Sequence, residues 1–263
     1  MPFAEIGELK IYYDRIGSGE PLVLFPDNLL ASSAYQREID HFATSFEVIA
    51  FDYPGRGKST HATFYPDEQE LDLWGFWADM ACHLLQTLNL DHAYAVGIGG
   101  GAMAALHFAG NQAHQHHLKV CGVIADSFLA DWDARTLHRW LDVREHYYVR
   151  NQPLLETLHG KNWRTLMDQD TDFIRRLADH GGYQVPDAFM NAITCPVLLT
   201  GHQQDHTLPN IAREYARISQ LIPNCDLYLS AQRNHPFIER PYAASDSTMF
   251  LTMADLFFAK IRN

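Results

Sequence analysis

Short apolar runs alternate along the chain with segments of helical periodicity, and this alternation limits the folds that are open to it. A run that is apolar throughout predicts a strand buried on both faces. Such strands alternating with helices are typical of a mainly parallel sheet flanked by helices, so the predicted fold class is α/β. The predicted strands cover residues 9–16, 21–25, 46–52, 93–96, 120–126, 195–201 and 226–230, and the predicted helices cover 72–88, the stretch from the Gly-rich turn to about 111, and 245–261.

Residues 128–190 interrupt this alternation, because their pattern is helical and rich in Trp, Tyr, Phe and His. We interpret them as a helical cap inserted after the strand that ends at Asp126, with a core formed by residues 1–127 and 191–263. Ligands of open α/β sheets bind at the carboxyl ends of the strands, where such a cap would cover them. The cap residues predicted to line the pocket are Trp132, Trp140 and Tyr147.

Composition and charge exclude several classes of partner. The chain has 20 Lys and Arg against 32 Asp and Glu, a net charge of −12, so nucleic acid is not an expected partner. It has no apolar run of about 18 residues and no signal-peptide pattern, so no membrane is expected. The four cysteines are widely spaced, which favours reduced, buried thiols in a cytoplasmic protein. The expected partner is a small-molecule ligand, and a homodimer is a possible assembly.

The stretch AYAVGIGGGAMAALHFA, residues 93–109, combines an apolar run, a tight glycine-rich turn and a helix-forming segment. This is the layout of a nucleophile elbow, Gly-x-Ser-x-Gly, in which a strained strand-to-helix turn presents a reactive serine. Here Gly99 takes the position of the serine. Glycine tolerates the strained backbone at the least cost, but it supplies no nucleophile.

Five segments carry a resemblance to a known family, and they occur in that family's order. These segments are PLVLFPDN (21–28), FDYPGRGKS (51–59), VGIGGG (96–101), CPVLLTGHQQDHTLP (195–209) and NHPFIERP (234–241). With them the chain resembles the α/β-hydrolase superfamily over nearly its whole length. The resemblance implies an α/β-hydrolase fold without a cofactor, in which Asp205 and His235 are the acid and the histidine of a catalytic triad. It also implies that the backbone N–H groups of Gly100 and Asn28 form the oxyanion hole.

The sequence departs from the family pattern at two places. Gly99 stands at the nucleophile position, and Pro26-Asp27 replaces the His-Gly that leads into the oxyanion hole. A carboxylate at Asp27 would repel the negative charge that such a hole stabilises during acyl transfer. Asp27 is also a predicted pocket residue.

The retained acid and histidine favour an atypical enzyme that acts on a small, partly apolar molecule. An imidazole at His235, oriented by Asp205, can take a proton from water or from a substrate hydroxyl. It cannot form an acyl-enzyme through Gly99. Hydrolysis without a covalent intermediate fits this arrangement, and so does a cofactor-free lyase or oxygenase step.

Two alternatives to this enzyme stay open. The first is a binding or regulatory protein, because the chain is similar to the NDR (N-myc downstream-regulated) family in its elbow glycine, its Asp27 and the Trp of ADSFLADW (125–132). It departs from that family in keeping Asp205 and the His235 segment. The second is an esterase-type hydrolase whose serine has been mutated to Gly99.

Other polar residues receive structural interpretations. His202, Asp205 and His206 are metal-ligand types, but they lie on a loop where Asp205 already has a role in the resemblance, so no metal is expected. Asp126 is interpreted as a strand-end cap, and Ser127 as a substitute nucleophile that nothing in the sequence supports. The histidines interpreted as a solvated surface are His114, His116 and His117.

Overall fold

The structure is a computed structural model, and it describes residues 2–60, 71–112, 115–231, 235 and 247–262. In these residues the chain forms ten strands and eight α-helices. The strands are β1 (Phe3–Ile6), β2 (Leu9–Gly17), β3 (Glu20–Phe25), β4 (Phe46–Phe51), β5 (His92–Ile98), β6 (Lys119–Asp126), β7 (Asp131–Asp133), β8 (Gly182–Gln184), β9 (Val197–His202) and β10 (Cys225–Ser230). The helices are α1 (Gln36–Phe42), α2 (Leu73–Thr87), α3 (Gly100–His107), α4 (Ala134–His159), α5 (Trp163–Asp179), α6 (Asp187–Asn191), α7 (Ile211–Leu221) and α8 (Ser247–Arg262).

The main sheet has eight strands in the order β1-β2-β4-β3-β5-β6-β9-β10. The pairs β1–β2 and β2–β4 are antiparallel, and all the other neighbouring pairs are parallel. The mainly parallel α/β fold predicted from the sequence is therefore confirmed. The prediction did not include β1, because a single buried residue in FAEI leaves almost no apolar signal.

The strand register brings the site segments to one edge of the sheet. Phe25, the last residue of β3, pairs with Gly97 at the end of β5, and Ile98 pairs with Asp126 at the end of β6. Asp126 in turn pairs with Thr200 near the end of β9. Loops that leave these four strands therefore start side by side, as the carboxyl ends of parallel strands must.

Helices cover both faces of the sheet through two apolar clusters. On one face, α2 and α3 pack on β3 and β5, and Asp72 begins α2 by accepting a 2.9 Å hydrogen bond from the Gly75 N–H. On the other face, α1 and α8 pack through Phe42 and Phe258, whose rings meet at 6.0 Å. The predicted helix after the glycine turn ends at His107 as an α-helix and continues as a π-helical turn over Phe108–Gln112.

The segment between β6 and β9 contains β7, α4, α5, β8 and α6. The sequence pattern of this segment was helical throughout, yet β7 and β8 form a short antiparallel pair in which Trp132 lies opposite Tyr183. A pair this short leaves too few residues to show strand alternation. We call residues 127–196 the inserted segment. The division into a core of 1–127 and 191–263 and a cap of 128–190 stays a prediction.

Two expectations about the environment of the chain can be set beside the structure. In the described residues, no helix combines the length and the apolar character that a membrane span requires. All four cysteines are free thiols, but only Cys82 and Cys195 are buried, whereas Cys121 and Cys225 are half-buried. The expectation that all the thiols are buried is therefore wrong for those two, which lie at partly covered positions in β6 and β10.

Candidate active site

The glycine-rich turn between β5 and α3 has the backbone of a strand-to-helix elbow. Gly99 adopts φ +57° and ψ −123°, and its N–H donates to the Asp126 carbonyl at 2.8 Å. This conformation strains any residue with a side chain, and glycine adopts it freely. A Cβ added to Gly101 would overlap the carbonyl oxygens of Phe25 and Pro26, so the turn and the loop after β3 approach each other too closely for a side chain.

Asp27 occupies the space in which a nucleophilic side chain would lie. A Cβ added to Gly99 would overlap Asp27 Oδ2 and lie 3.1 Å from Asp27 Cγ. Asp27 Oδ1 accepts a 3.2 Å hydrogen bond from the Leu29 N–H, which orients the carboxyl group. The two departures from the family pattern, Gly99 and Pro26-Asp27, are therefore structurally linked, because the carboxyl group of Asp27 fills the space above Gly99.

Asn28 fills the space above the next glycine in the same way. A Cβ added to Gly100 would overlap Asn28 Oδ1 and lie 2.9 Å from Asn28 Nδ2, and the indole N–H of Trp74 donates to Oδ1 at 3.2 Å. The backbone N–H groups of Gly100 and Asn28, the predicted oxyanion donors, have no acceptor among the described residues. They are thus available to a ligand, as the first N–H groups of a helix commonly are.

The loop after β3 is held in place by buried side chains. The hydroxyl of Tyr53 donates to the Pro26 carbonyl at 3.0 Å, and Arg56 Nε donates to the Asn28 carbonyl at 2.7 Å. Tyr53 and Arg56 both belong to the FDYPGRGKS turn, in which the Asp52 carboxylate accepts a 2.8 Å bond from the Lys58 N–H. Burial raises the pKa of Asp52 against these hydrogen bonds. That turn therefore fixes the position of Asp27 and Asn28.

Asp205 and His235 meet on the other side of the site. His235 Nδ1 lies 2.7 Å from Asp205 Oδ2, and Asp205 Oδ1 accepts hydrogen bonds from the N–H groups of Thr207 and Leu208 at 2.7 and 2.9 Å. The Asp205 side chain is fully buried, and that of His235 is 9% exposed. Because the carboxylate only accepts hydrogen bonds, we assign the proton to Nδ1, which leaves the lone pair on Nε2. Apart from His235, the segment 234–241 lies outside the described residues.

Two adjoining cavities open at this edge of the sheet, and both are lined by Asp27, Trp140 and His235. The empty space in each, counted to its open mouth, is about 530 Å³ in the first and about 580 Å³ in the second. The first is also lined by Gly99 and Gly100. Their walls are mainly apolar, as in small-molecule sites. The candidate site therefore faces a mainly apolar space that is open on one side.

The structure places the predicted pocket residues around these cavities. Trp132 and Trp140 line the first cavity, and Trp140 and Tyr147 line the second. Other lining side chains were not predicted, since they come from separate elements and share no spacing in the sequence. Those of the first cavity include Trp74, Met103, Phe128, Leu137, Ile174 and Leu208. The substrate-binding role of the predicted residues stays a prediction.

A buried ion cluster borders the second cavity, and the sequence analysis missed it. Arg144 on α4 and Arg56 both bind Asp170 on α5, and the contact of Arg56 Nη2 with Asp170 Oδ1 is 3.2 Å. Arg144 Nε also donates to the hydroxyl of Tyr148 at 2.8 Å. Burial on its own would lower the pKa of Arg144, but the charge of Asp170 and these hydrogen bonds raise it. Within the part of the chain that the structure describes, the cluster brings two guanidinium groups to the carboxylate of Asp170.

Strand β6 ends in two residues with different surroundings. Asp126 is fully buried, and its Oδ1 accepts a 2.7 Å hydrogen bond from the Thr200 hydroxyl. Ser127 adopts φ +53°, which is strained for a residue with a side chain, and it lines the first cavity. Ser127 therefore places a hydroxyl group near the site, whereas Asp126 links two strands of the sheet.

His202, Asp205 and His206 are not arranged as a metal site in the described residues. Asp205 uses both oxygens on protein donors, His202 is buried and His206 is exposed. Burial lowers the pKa of His202, the charge of Asp205 raises it and that of His235 lowers it further, with a net decrease.

Another group of metal-ligand types lies away from the cavities. Among the described residues, ligand atoms of Asp79, His83 and His116 lie within 4.8 Å of one another. His116 Nε2 lies 2.6 Å from Asp79 Oδ1, and the His116 side chain is only 14% exposed. The interpretation of His116 as a solvated surface residue is therefore wrong, because α2 supplies a carboxylate that covers it. His114 lies outside the described residues.

The sequence is similar to those of known hydrolases. The sequence profile of a family described as "Alpha/beta hydrolase family" matches residues 22–244. A curated (E)-2-((N-methylformamido)methylene)succinate hydrolase from Acinetobacter baylyi is 34% identical over 95 residues. That match covers 36% of this chain and 33% of the relative, so it spans about a third of the relative's length.

Solved structures show a similar fold over nearly the full chain. E-2-(acetamidomethylene)succinate hydrolase aligns with a TM-score of 0.68 at 18% identity, covering 98% of each chain. The enol-lactonase from Burkholderia xenovorans LB400 aligns with a TM-score of 0.69 at 15% identity, covering 98% of this chain and 100% of the lactonase. An esterase from Exiguobacterium antarcticum aligns with a TM-score of 0.72 at 14% identity, covering 99% of each chain.

Proposed function

Because the chain belongs to the alpha/beta hydrolase family, we propose that it hydrolyses a small, partly apolar molecule without a covalent intermediate. His235 is the general base of this reaction, and Asp205 orients it. The observation that carries the proposal is the 2.7 Å contact between His235 Nδ1 and Asp205 Oδ2 in the wall of two apolar cavities. A base held in this way next to an enclosed ligand space is the minimum that water activation requires.

The proposed reaction has two steps. His235 Nε2 takes a proton from a water molecule as the water oxygen attacks the substrate carbonyl, and the N–H groups of Gly100 and Asn28 donate to the resulting oxyanion. The tetrahedral intermediate then collapses, and the imidazolium returns the proton to the leaving group. Asp27, in the space of the missing serine side chain, accepts a hydrogen bond from the attacking water and holds it beside the base.

The names of similar proteins support hydrolysis over a lyase or oxygenase step. The curated relative and one solved structure are named as hydrolases of amidomethylene succinates, and another structure is named as an enol-lactonase. These names describe cleavage of an amide or a lactone by water. We therefore propose an amide, ester or lactone carbonyl as the group that is attacked.

A second candidate function is binding without catalysis. It is favoured by the carboxyl group of Asp27, which lies where a nucleophile would have to stand above Gly99. The same observation goes against an esterase whose serine was simply mutated to Gly99, because a side chain at that position would overlap the carboxyl group. A binding protein would have no use for an oriented base, which is why the enzyme is the first candidate.

The test compares hydrolysis of a panel of small esters, lactones and amides by the native chain and by His235→Ala. We expect the loss of the base to lower the rate by at least about 100-fold, the usual size of general acid–base catalysis. The matched control is His206→Ala, which removes an exposed imidazole whose ring centre lies 6.5 Å from that of His235. The control should keep the native rate.

Two results would contradict the proposal. A rate that survives His235→Ala would show that this imidazole is not the base. Saturable binding of panel compounds without any turnover by the native chain would support the binding protein instead.

A further inference from the structure

We propose that Arg144 is the binding residue for a carboxylate group of the ligand, so that the second cavity selects small carboxylates with an apolar body. This proposal rests on the proposed function only in treating the bound carboxylate as part of a substrate, because the binding itself does not require hydrolysis. It starts from one nitrogen atom of a buried guanidinium group. In the described part of the chain, Arg144 Nη1 is buried and has no hydrogen-bond partner.

The other nitrogens of this guanidinium are already in use. Nη2 binds Asp170, and Nε donates to the hydroxyls of Tyr148 and Thr171 at 2.8 and 3.2 Å. These contacts orient the plane of the guanidinium group, and Arg144 is only 4% exposed. Nη1 is thus a donor of fixed position on a residue that lines the second cavity. Buried polar groups in folded proteins nearly always find a partner, which here must come from a ligand or from water.

The charge of the cluster indicates the sign of that ligand. Among the described residues, Arg144 has no carboxylate to itself, because its partner Asp170 is also contacted by Arg56. Among the described residues that line the second cavity, Arg144 is the only one with a permanent positive charge. A buried guanidinium N–H without a partner favours an anion in its neighbourhood, and a carboxylate matches the geometry of guanidinium N–H groups.

Asp27 also lines the second cavity, and its carboxylate would repel a ligand carboxylate that came close to it. The ion pair of Arg144 within the described residues is with Asp170 and not with Asp27. Asp27 Oδ2 instead lies against Gly99, at the junction with the first cavity. A carboxylate bound at Arg144 would share the second cavity with Trp140 and Tyr147, whose rings suit an apolar linker between it and the reacting carbonyl.

The first test needs no mutation. Binding of the n-alkanoates from propionate to hexanoate is compared with binding of the matching primary amides by isothermal titration calorimetry on the native chain. We expect the carboxylates to bind at least tenfold more tightly than the amides. Equal binding of the two series would overturn the proposal.

The second test removes the charge. Arg144→Gln keeps a side chain that can hydrogen-bond Tyr148 but loses the guanidinium group, and it should abolish the preference for carboxylates. The control is Arg164→Gln, which removes an exposed arginine that pairs with Glu145 at 2.8 Å on the neighbouring helix, and it should keep the preference. A carboxylate preference that persists in folded Arg144→Gln would overturn the proposal.

Arg144→Gln removes one of the two guanidinium groups that contact Asp170, so circular dichroism must first show that the variant folds. If it does not fold, Arg144→Met serves in its place, because it removes the guanidinium group, keeps an apolar side chain of similar length and leaves Asp170 in contact with Arg56. Failure of this proposal differs from failure of the proposed function. His235→Ala should keep the carboxylate preference while it loses hydrolysis, whereas loss of the preference by His235→Ala would contradict a subsite centred on Arg144.

Discussion

The two sides of the candidate site have diverged to different extents from the family to which the chain belongs. On the β9 side, Asp205 and His235 lie 2.7 Å apart in the arrangement that the family resemblance implies. On the β3–β5 side, Gly99 stands at the elbow position, and the carboxyl group of Asp27 fills the space that a side chain there would need. The Asp205–His235 contact could therefore be expected from motifs alone. The β3–β5 side, which we call the rebuilt side, depends instead on how Asp27 and Asn28 pack against glycines 99–101.

The rebuilt side depends on coupled residues. The consecutive glycines 99–101 leave room for the carboxyl group of Asp27, the amide of Asn28 and the carbonyl of Pro26, one after another. The loop that carries these groups is in turn held by Arg56, which reaches the inserted segment through Asp170. A change on this side should therefore affect its neighbours, whereas changes near the Asp205–His235 pair should stay local.

The strongest way to test this contrast is to break the buried ion cluster with Asp170→Ala. The variant leaves the guanidinium groups of Arg56 and Arg144 buried without their carboxylate, so the free energy of unfolding should fall by about 3–5 kcal/mol. Urea unfolding followed by circular dichroism measures this change. The matched control is Asp168→Ala, which removes an exposed carboxylate 3.0 Å from Arg164 and should cost less than about 1 kcal/mol. Equal losses in the two variants would mean that the cluster does not hold the rebuilt side together.

A smaller effect is expected when the nucleophile is restored. Gly99→Ser places a side chain where Asp27 Oδ2 now lies, at φ +57°, and should cost about 2 kcal/mol of unfolding free energy without conferring esterase activity. The double variant Gly99→Ser, Asp27→Gly removes the overlap and should recover part of this loss. It should also show a burst with p-nitrophenyl acetate, since a serine beside His235 can form an acyl-enzyme.

Asp27→Gly alone is the control for this pair. It removes the carboxyl group without supplying a nucleophile, so it should show no burst. Strong esterase activity of Gly99→Ser by itself would contradict the coupling, because it would mean that Asp27 moves aside at little cost.

What the sequence could predict follows the same division. The strands, the main helices, Asp205 and His235 could be predicted, because apolar periodicity and family motifs are local signals. The place of Asp27 above Gly99 could not, since it depends on the register that sets Phe25 beside Gly97. Arg144 and Asp170 were also missed, because their pairing joins residues of two consecutive helices and depends on how those helices pack, which no periodic pattern shows. The pair β7–β8 was missed because each strand has only three residues.

The smallest expected effect is on the pH dependence of stability, and it concerns His202 on the β9 side of the site. Burial lowers the pKa of His202 at the end of β9, so the unfolded chain binds a proton there more readily than the folded chain does. The stabilisation from His202 is therefore complete above the unfolded pKa of about 6.5 and is lost as the pH falls through the folded pKa. Urea midpoints measured from pH 7.5 downward should fall less steeply for His202→Gln than for the native chain. The control is His146→Gln, which removes an exposed histidine on α4 and should follow the native curve. Parallel curves for the native chain and His202→Gln would show that this buried imidazole does not make the stability of the chain sensitive to acid.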